Sequence, residues 1–197
     1  MKKLLIATLA LTLAACQQAP SAFTPGPFAF EVNRMAPMTA NVHEVRITSE
    51  YQPTMRTPYV EQDFPVAPAI AVKKWVSQRL EPNPAISANS ILEVVITDAS
   101  VKETRLPKTK GVKGVFTDDQ DARYDARIAV TFRVFSGDQA MSSATGDVIV
   151  TRSRTINERA TVYEREAIYH TMLRDMMIQF DSEAKSRLHQ YFQPFLK

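Results

Sequence analysis

Alternation of apolar and polar side chains predicts the strands of a sheet in this sequence. The clearest case runs from Tyr124 to Val134. Strict alternation of this kind is typical of a half-buried antiparallel strand. One face carries the apolar residues Tyr124, Ala126, Ile128, Val130, Phe132 and Val134. A turn signal from Ser136 to Asp138 leads to a further strand, Ala144 to Ile156, so the two are expected to form a hairpin.

Two earlier segments have the same alternating pattern. The first runs from Ala40 to Tyr51 and is ended by Pro53. The second runs from Ile91 to Val101. Their apolar faces, read from the spacing of two, are Val45, Ile47 and Tyr51 in the first and Leu92, Val94 and Ile96 in the second.

Two segments have helical spacing instead. Between Val66 and Leu80 the apolar residues recur every three or four positions, with Trp75 beside them and prolines at either end. A longer helix is predicted from about Thr161 to Phe192. Its apolar stripe comprises Tyr169, Leu173, Met176, Met177, Phe180, Ala184, Leu188 and Tyr191. Mixed acidic and basic residues on its polar face favour packing on a sheet over lying in a bilayer.

The resulting order is strand, helix, three strands and a helix. Strands joined largely by hairpins, with helices on one side, predict an α+β fold. We expect a two-layer sandwich, with an about four-stranded, largely antiparallel sheet and two helices on one face.

The first residues have the order of a secretory signal: Lys2 and Lys3, an apolar core, and then small residues. The signal ends in Leu13-Ala14-Ala15-Cys16, which resembles the lipobox of bacterial lipoproteins. The resemblance implies lipid attachment to Cys16 and removal of residues 1–15. An uncleaved membrane anchor is the alternative, but the apolar run is much shorter than the roughly 20 residues that cross a bilayer. Residues 16–32, rich in proline and small residues, are expected to form a flexible tether, and residues 33–197 a single domain.

Cysteine count and charge exclude several kinds of chemistry. Cys16 is the only cysteine, so the expected mature domain has neither disulfides nor thiolate metal sites. Loss of Lys2 and Lys3 would leave 22 basic against 21 acidic residues, a nearly neutral domain. This charge does not favour nucleic acid as a partner.

No motif in the chain nominates an enzyme or a cofactor. His43, His170 and His189 lack metal-type spacing, and no nucleophile elbow, phosphate loop or dinucleotide fingerprint occurs. The acidic cluster Asp118, Asp119 and Asp121 lacks the glycine and glutamate of a calcium loop. We therefore predict no catalytic residues, no metal and no cofactor.

The connection from Lys102 to Ala122 is the most suggestive segment outside the predicted core. Long loops are uncommon in compact domains unless they have a function or are disordered. The residues that would contact lipid phosphates or an acidic partner are Lys102, Arg105, Lys108, Lys110, Lys113 and Phe116. The alternative is a solvated ribbon tip with no binding role.

From Asn33 to Phe192 the chain resembles the auxiliary lipoproteins of ABC-type envelope lipid transport. The resemblance lies in the ordered set WVSQRL at 75–80, ARYDAR at 122–127 and YHTMLRDMM at 169–177. It implies a non-enzymatic accessory subunit that contacts transport-complex proteins and phospholipid. An envelope scaffold or regulator that binds a periplasmic enzyme, without touching lipid, is the alternative from another class.

Two lipoprotein families fit this resemblance, and they differ in the residues that begin the mature chain after signal removal. One is the outer-membrane lipoprotein of paraquat-inducible, mammalian-cell-entry-type phospholipid transport. The other is the LPS-assembly lipoprotein, which commonly begins Cys-Gly-Phe, whereas this chain has Cys16-Gln17-Gln18. That difference favours the phospholipid branch. Gln17, where aspartate would signal inner-membrane retention, implies the periplasmic face of the outer membrane.

Overall fold

The computed structural model describes residues 36–86, 89–107, 120–136, 143–157 and 159–192. Cys16, the lipobox and the predicted tether lie outside the described residues. The strands are β1 (Met38–Ala40), β2 (Glu44–Ser49), β3 (Leu80–Pro82), β4 (Ile91–Asp98), β5 (Val101–Arg105), β6 (Gln120–Phe135) and β7 (Ala144–Asn157). The helices are α1 (Pro68–Arg79) and α2 (Val162–Tyr191).

Strand β6 is the centre of the main, five-stranded sheet. It pairs antiparallel with β7 on one side, and with β4 and then β5 on the other. Strand β2 pairs parallel with β4, which α1 allows by returning the chain to the same end of the sheet. The α+β two-layer sandwich is confirmed, with this parallel pair within a largely antiparallel sheet.

The predicted strand from Ile91 to Val101 is divided in two. Strand β4 ends at Asp98 and β5 begins at Val101, with a register shift against β6 near Ile96. Because β4 and β5 pair one after the other with the same edge of β6, the main sheet has five strands but is only four strands wide. Strands β1 and β3 form a separate parallel pair. The alternation pattern did not predict them, because strands of three residues are too short to show a period.

The predicted apolar face of β6 is confirmed. All six of its apolar residues are buried, together with Val148 and Val150 of β7. Val45, Ile47 and Tyr51 are partly buried and pack against the same core. Both helices cover this face, and Trp75 of α1 makes edge contacts with the rings of Phe132 and Phe180.

Helix α2 begins where its sequence predicts, at a capping box. The Thr161 hydroxyl accepts from the Glu164 backbone N–H, and the Glu164 carboxylate accepts from the Thr161 N–H. The apolar stripe from Tyr169 to Leu188 is buried, as is Met172 beside it. Asp175, outside this stripe, is half-buried, and its carboxylate lies 3.6 Å from the Arg154 guanidinium.

A buried ion pair joins the two helices, and the sequence pattern did not predict it. Arg79 Nε donates to Asp181 Oδ1 at 2.7 Å, and Trp75 Nε1 donates to the same oxygen at 2.8 Å. Arg79 Nη1 also donates to the Ala36 carbonyl. Because these donors compensate the buried carboxylate, the group fixes α1, α2 and the start of the described chain against one another.

The sheet has two distinct ends. At the hairpin end lie Ile91, Phe135 and Ala144. At the distal end β5 finishes at Arg105, β7 finishes at Asn157 and α2 begins. The 30 residues of α2 separate these ends by about 45 Å.

Ala36 lies towards the hairpin end. Its carbonyl accepts a hydrogen bond from Arg79. Trp75, one helical turn before Arg79, packs on Phe132, which lies three residues before the hairpin end of β6. The chain that precedes residue 36 therefore reaches the domain near the hairpin end. Among the described residues, no helix is long and apolar enough to cross a membrane.

Candidate docking site

The two described residues of the predicted contact loop lie at the distal end. Lys102 and Arg105 are exposed on β5. Lys108, Lys110, Lys113 and Phe116 lie outside the described residues. The Lys102 ammonium lies 5.2 Å from the centre of the Tyr59 ring, a cation–π contact. The structure thus brings the predicted loop's first cation against a different segment, which the sequence pattern did not connect with it.

Tyr59 directly follows a loop formed by residues 52–58, all of them exposed. Backbone hydrogen bonds hold both ends of this loop against β4 and β5. Tyr51 N–H donates to the Ile96 carbonyl at 3.1 Å, and Glu103 N–H donates to the Pro58 carbonyl at 2.8 Å. Just after the loop, Val60 N–H donates to the Val101 carbonyl at 2.9 Å. The ends of the loop are therefore fixed by the sheet.

Met55 is at the centre of this loop and is unusual in two ways. Its side chain is 64% exposed, although methionine is apolar. Its φ of 54° lies in the left-handed region, where a side chain crowds the backbone. Met55, Tyr59 and Arg105 contribute to the wall of a surface cavity of about 440 Å³. Glu103 and Asp63 add two carboxylates to the same wall.

A buried carboxylate supports the loop from below. Glu61 is 2% exposed, and its Oε1 accepts from the Tyr51 hydroxyl at 2.5 Å. Its Oε2 accepts from the Val101 backbone N–H at 3.4 Å. Burial, together with the hydrogen bond to this carboxylate, raises the pKa of the Tyr51 phenol. Tyr51 therefore stays protonated as a donor, and the pair has a structural role.

A second polar cluster connects the distal end to α2. The Tyr124 hydroxyl donates to Glu103 Oε2 at 3.1 Å and accepts from Arg165 Nη1 at 3.4 Å. The Tyr169 ring contacts Tyr124 edge-on and stacks on Phe64. Burial is the largest cause that raises the pKa of both Tyr124 and Tyr169. Neither phenol is poised to give up its proton near neutral pH.

The open face of the sheet has a larger cavity, of about 660 Å³, and several of its charges are already paired. Arg127 Nε lies 3.2 Å from Asp98 Oδ2. Asp125 accepts from the Ser153 hydroxyl and lies 2.9 Å from Arg123 Nε. A ligand would have to displace these bonds. The distal loop is the better candidate for binding, because it has an exposed apolar side chain beside arginines that form no ion pair with the described residues.

The described side chains form no cluster that could hold a metal ion. Within residues 36–192, as far as they are described, no three histidines or carboxylates converge on a common point. His43 and His189 are exposed and far apart along the chain, and His170 is half-buried on α2. What the distal end offers is a surface for contact.

Neither a protein-family model nor a curated protein matches this sequence. Some solved structures have a similar chain path, at low identity. Lipoprotein B from Nitrosomonas europaea is 15% identical, with a TM-score of 0.38 over 75% of this chain and 86% of that one. A minor lipoprotein from Acinetobacter baumannii is 11% identical, with a TM-score of 0.36 over 76% and 91%. The rare lipoprotein B from Shewanella oneidensis is 13% identical, with a TM-score of 0.33 over 74% and 97%. These neighbours are lipoproteins by name, and similarity at this level does not determine a function.

Proposed function

We propose that this chain is a bacterial lipoprotein held at a membrane by lipid on Cys16, and that its domain is a non-enzymatic accessory subunit of an envelope lipid-transport complex. One observation carries the proposal: the only cysteine of 197 residues directly follows Leu13-Ala14-Ala15 at the end of a signal-like segment. One acyl chain binds a bilayer marginally, while two or three hold it stably. A lipidated Cys16 is thus an anchor.

Attachment to a membrane favours a docking role for the domain. A tethered domain meets other membrane-bound proteins at high effective concentration, so a modest contact area suffices. The exposed loop 52–58 and the cations of β5 supply such a contact area without a catalytic cluster. The ordered motifs at 75–80, 122–127 and 169–177 favour lipid transport as the setting, and Gln17 favours the periplasmic face of the outer membrane.

The anchor is tested by labelling cells with radioactive palmitate. The wild-type protein should incorporate label and float with membranes in a density gradient. Cys16→Ser should lose both, whereas Ser21→Ala, a matched change in the predicted tether, should lose neither. Unchanged labelling and flotation of Cys16→Ser would contradict the lipoprotein proposal.

The transport role is tested by mild detergent extraction of the full chain and identification of co-purified proteins. Recovery of a transport permease or a substrate-binding subunit supports the proposed role. Recovery of a peptidoglycan synthase instead would replace it with the scaffold or regulator function. An LPS translocon as the partner would move the chain to the LPS-assembly branch.

A further inference from the structure

We propose that residues 52–58 form a docking loop that inserts the Met55 side chain into an apolar pocket with an acidic rim on a partner protein. Arg56 and Arg105 would contact that rim. The inference rests on the proposed function, because it identifies the surface by which the anchored domain meets its partner.

Exposure and backbone conformation single out Met55. The other large exposed apolar residues of the described chain are Ile70, Ile149, Val162 and Ile178, each on a helix or strand. Such scattered residues are normal on protein surfaces. Met55 is the non-glycine residue with positive φ in the described ranges, and it presents its side chain to solvent. Strain of this kind concentrates at functional sites, and flexible methionines adapt well to a partner's pocket.

The loop is organised before any partner arrives. Its two ends are hydrogen-bonded to β4 and β5, and Tyr59 N–H donates to the Arg56 carbonyl at 2.8 Å within it. Lys102 packs on Tyr59, and buried Glu61 holds Tyr51. A preorganised loop loses little conformational entropy on binding, which raises its affinity.

Charge indicates the chemistry of the rim. Arg56 and Arg105 are exposed, and neither forms an ion pair within the part of the chain that the structure describes. Two carboxylates line the same cavity wall, Asp63 and Glu103, and Glu103 already accepts from the Tyr124 hydroxyl. With Lys102, three exposed cations surround the loop against these two carboxylates, and this excess favours an acidic partner surface.

Position favours a protein over the anchoring membrane. The chain reaches the domain near the hairpin end, while Met55 lies with Arg105 at the distal end. The length of α2 places these ends about 45 Å apart. A loop on the side away from the tether is directed towards other proteins of the envelope.

The test uses the full chain in intact cells, with a diazirine amino acid at Thr57, two residues after Met55 in the exposed loop. The same probe at Ile70, on the outer face of α1, is the control site. After irradiation, mass spectrometry identifies the product and the cross-linked peptide. We expect the Thr57 probe to join one protein beside acidic residues, and the Ile70 probe to give no such product.

Dependence on the loop distinguishes docking from random capture. Met55→Ser and the double change Arg56→Glu with Arg105→Glu should each lower the yield of the product cross-linked to the Thr57 probe about tenfold or more, as loss of an interface hot spot does. Ile70→Ser should leave it unchanged. Reversing the partner's acidic residues to lysine should restore the yield of the double variant. Met55→Gly relieves the left-handed strain, so it should fold at least as stably as wild type and still lose the cross-link.

Several results would overturn the inference. They are cross-linking to phospholipid, to a second copy of this chain, or to nothing above the Ile70 control, and a yield that Met55→Ser leaves unchanged. Membrane flotation of the same cells reports the anchor separately. If the Thr57 probe in the otherwise unchanged chain gives no specific cross-link while flotation is intact, the docking loop is rejected; if the otherwise unchanged chain does not float, the lipoprotein proposal is rejected.

Discussion

Arg79 and Asp181 are two charged residues in positions that apolar residues usually occupy. Arg79 is 4% exposed and Asp181 9% exposed. Their pairing at 2.7 Å, with Trp75 as a further donor, leaves little of either charge uncompensated. A buried pair of this kind is weak evidence of net stabilisation, but removing one partner is costly.

Asp181→Ala should therefore lower the free energy of unfolding by about 3–5 kcal/mol, because the Arg79 guanidinium stays buried without its partner. Urea unfolding followed by circular dichroism measures the change. The matched control is Glu44→Ala, which removes the partner of Arg46 from an ion pair about half exposed on β2. That change should cost about 0–1 kcal/mol. Equal losses in the two variants would contradict the role of the buried pair.

At the scale of the element, the two faces of the β6–β7 hairpin should respond very differently to mutation. Ile128 is fully buried on the core face, while Ile149 is 51% exposed on the other. Their strands pair directly, with Ile128 opposite Val150 and Ala129 opposite Ile149. Ile128→Ala should lower the free energy of unfolding by about 2–5 kcal/mol, and Ile149→Ala by less than about 1 kcal/mol. Thermal unfolding of both variants tests this, and a similar loss in each would contradict the assigned faces.

The start of α2 should make stability depend on pH. Hydrogen bonds from the Thr161 backbone and hydroxyl lower the pKa of Glu164 below its ordinary value of 4.5. A lowered pKa in the folded state means that the ionised carboxylate stabilises the fold above about pH 4.5, and that this contribution is lost as the pH falls through the folded-state pKa. Glu164→Gln should therefore be less stable than wild type at pH 7 and approach it at pH 3. Glu166→Gln changes an exposed glutamate two residues later on α2; it is the control and should alter stability about equally at the two pH values.

The sequence predicted those elements whose periodicity is long enough to show. Strand β6 and helix α2 were located closely because one face of each is buried along its whole length. The break between β4 and β5, the parallel pairing of β2 and the short strands β1 and β3 depend on partners distant in sequence. A local pattern contains no information about such partners.

The candidate site was predicted only in part, for a similar reason. The cations of β5 were identified from their charge and from the length of the following loop. Met55 was not, because nothing in a run such as QPTMRTP marks methionine for the left-handed region. Asp181, 102 residues from Arg79, was assigned no role, because ion pairing at that separation depends on the packed helices.

At the scale of the whole molecule, the domain has a fixed polarity relative to its predicted anchor. The hydrogen bond from Arg79 holds Ala36 near the hairpin end, and the docking loop lies at the distal end. If residues 16–35 have the coil dimensions expected from their composition, they span about 25 Å. That reach is shorter than the roughly 45 Å length of α2. The hairpin end should therefore lie nearer the membrane on average.

Single fluorescent labels can measure this polarity, because an introduced cysteine is the only free thiol when Cys16 carries lipid as proposed. Ser143→Cys marks the hairpin end and Thr57→Cys the distal end, and both positions are exposed. On vesicles that contain acceptor-labelled lipid, energy transfer should be several-fold more efficient from position 143, because transfer falls steeply with distance. Protein without the lipid is the control and should show no transfer from either position. Equal transfer, or more from position 57, would mean that the domain lies along the membrane, which would bring the docking loop to the bilayer instead of to a partner.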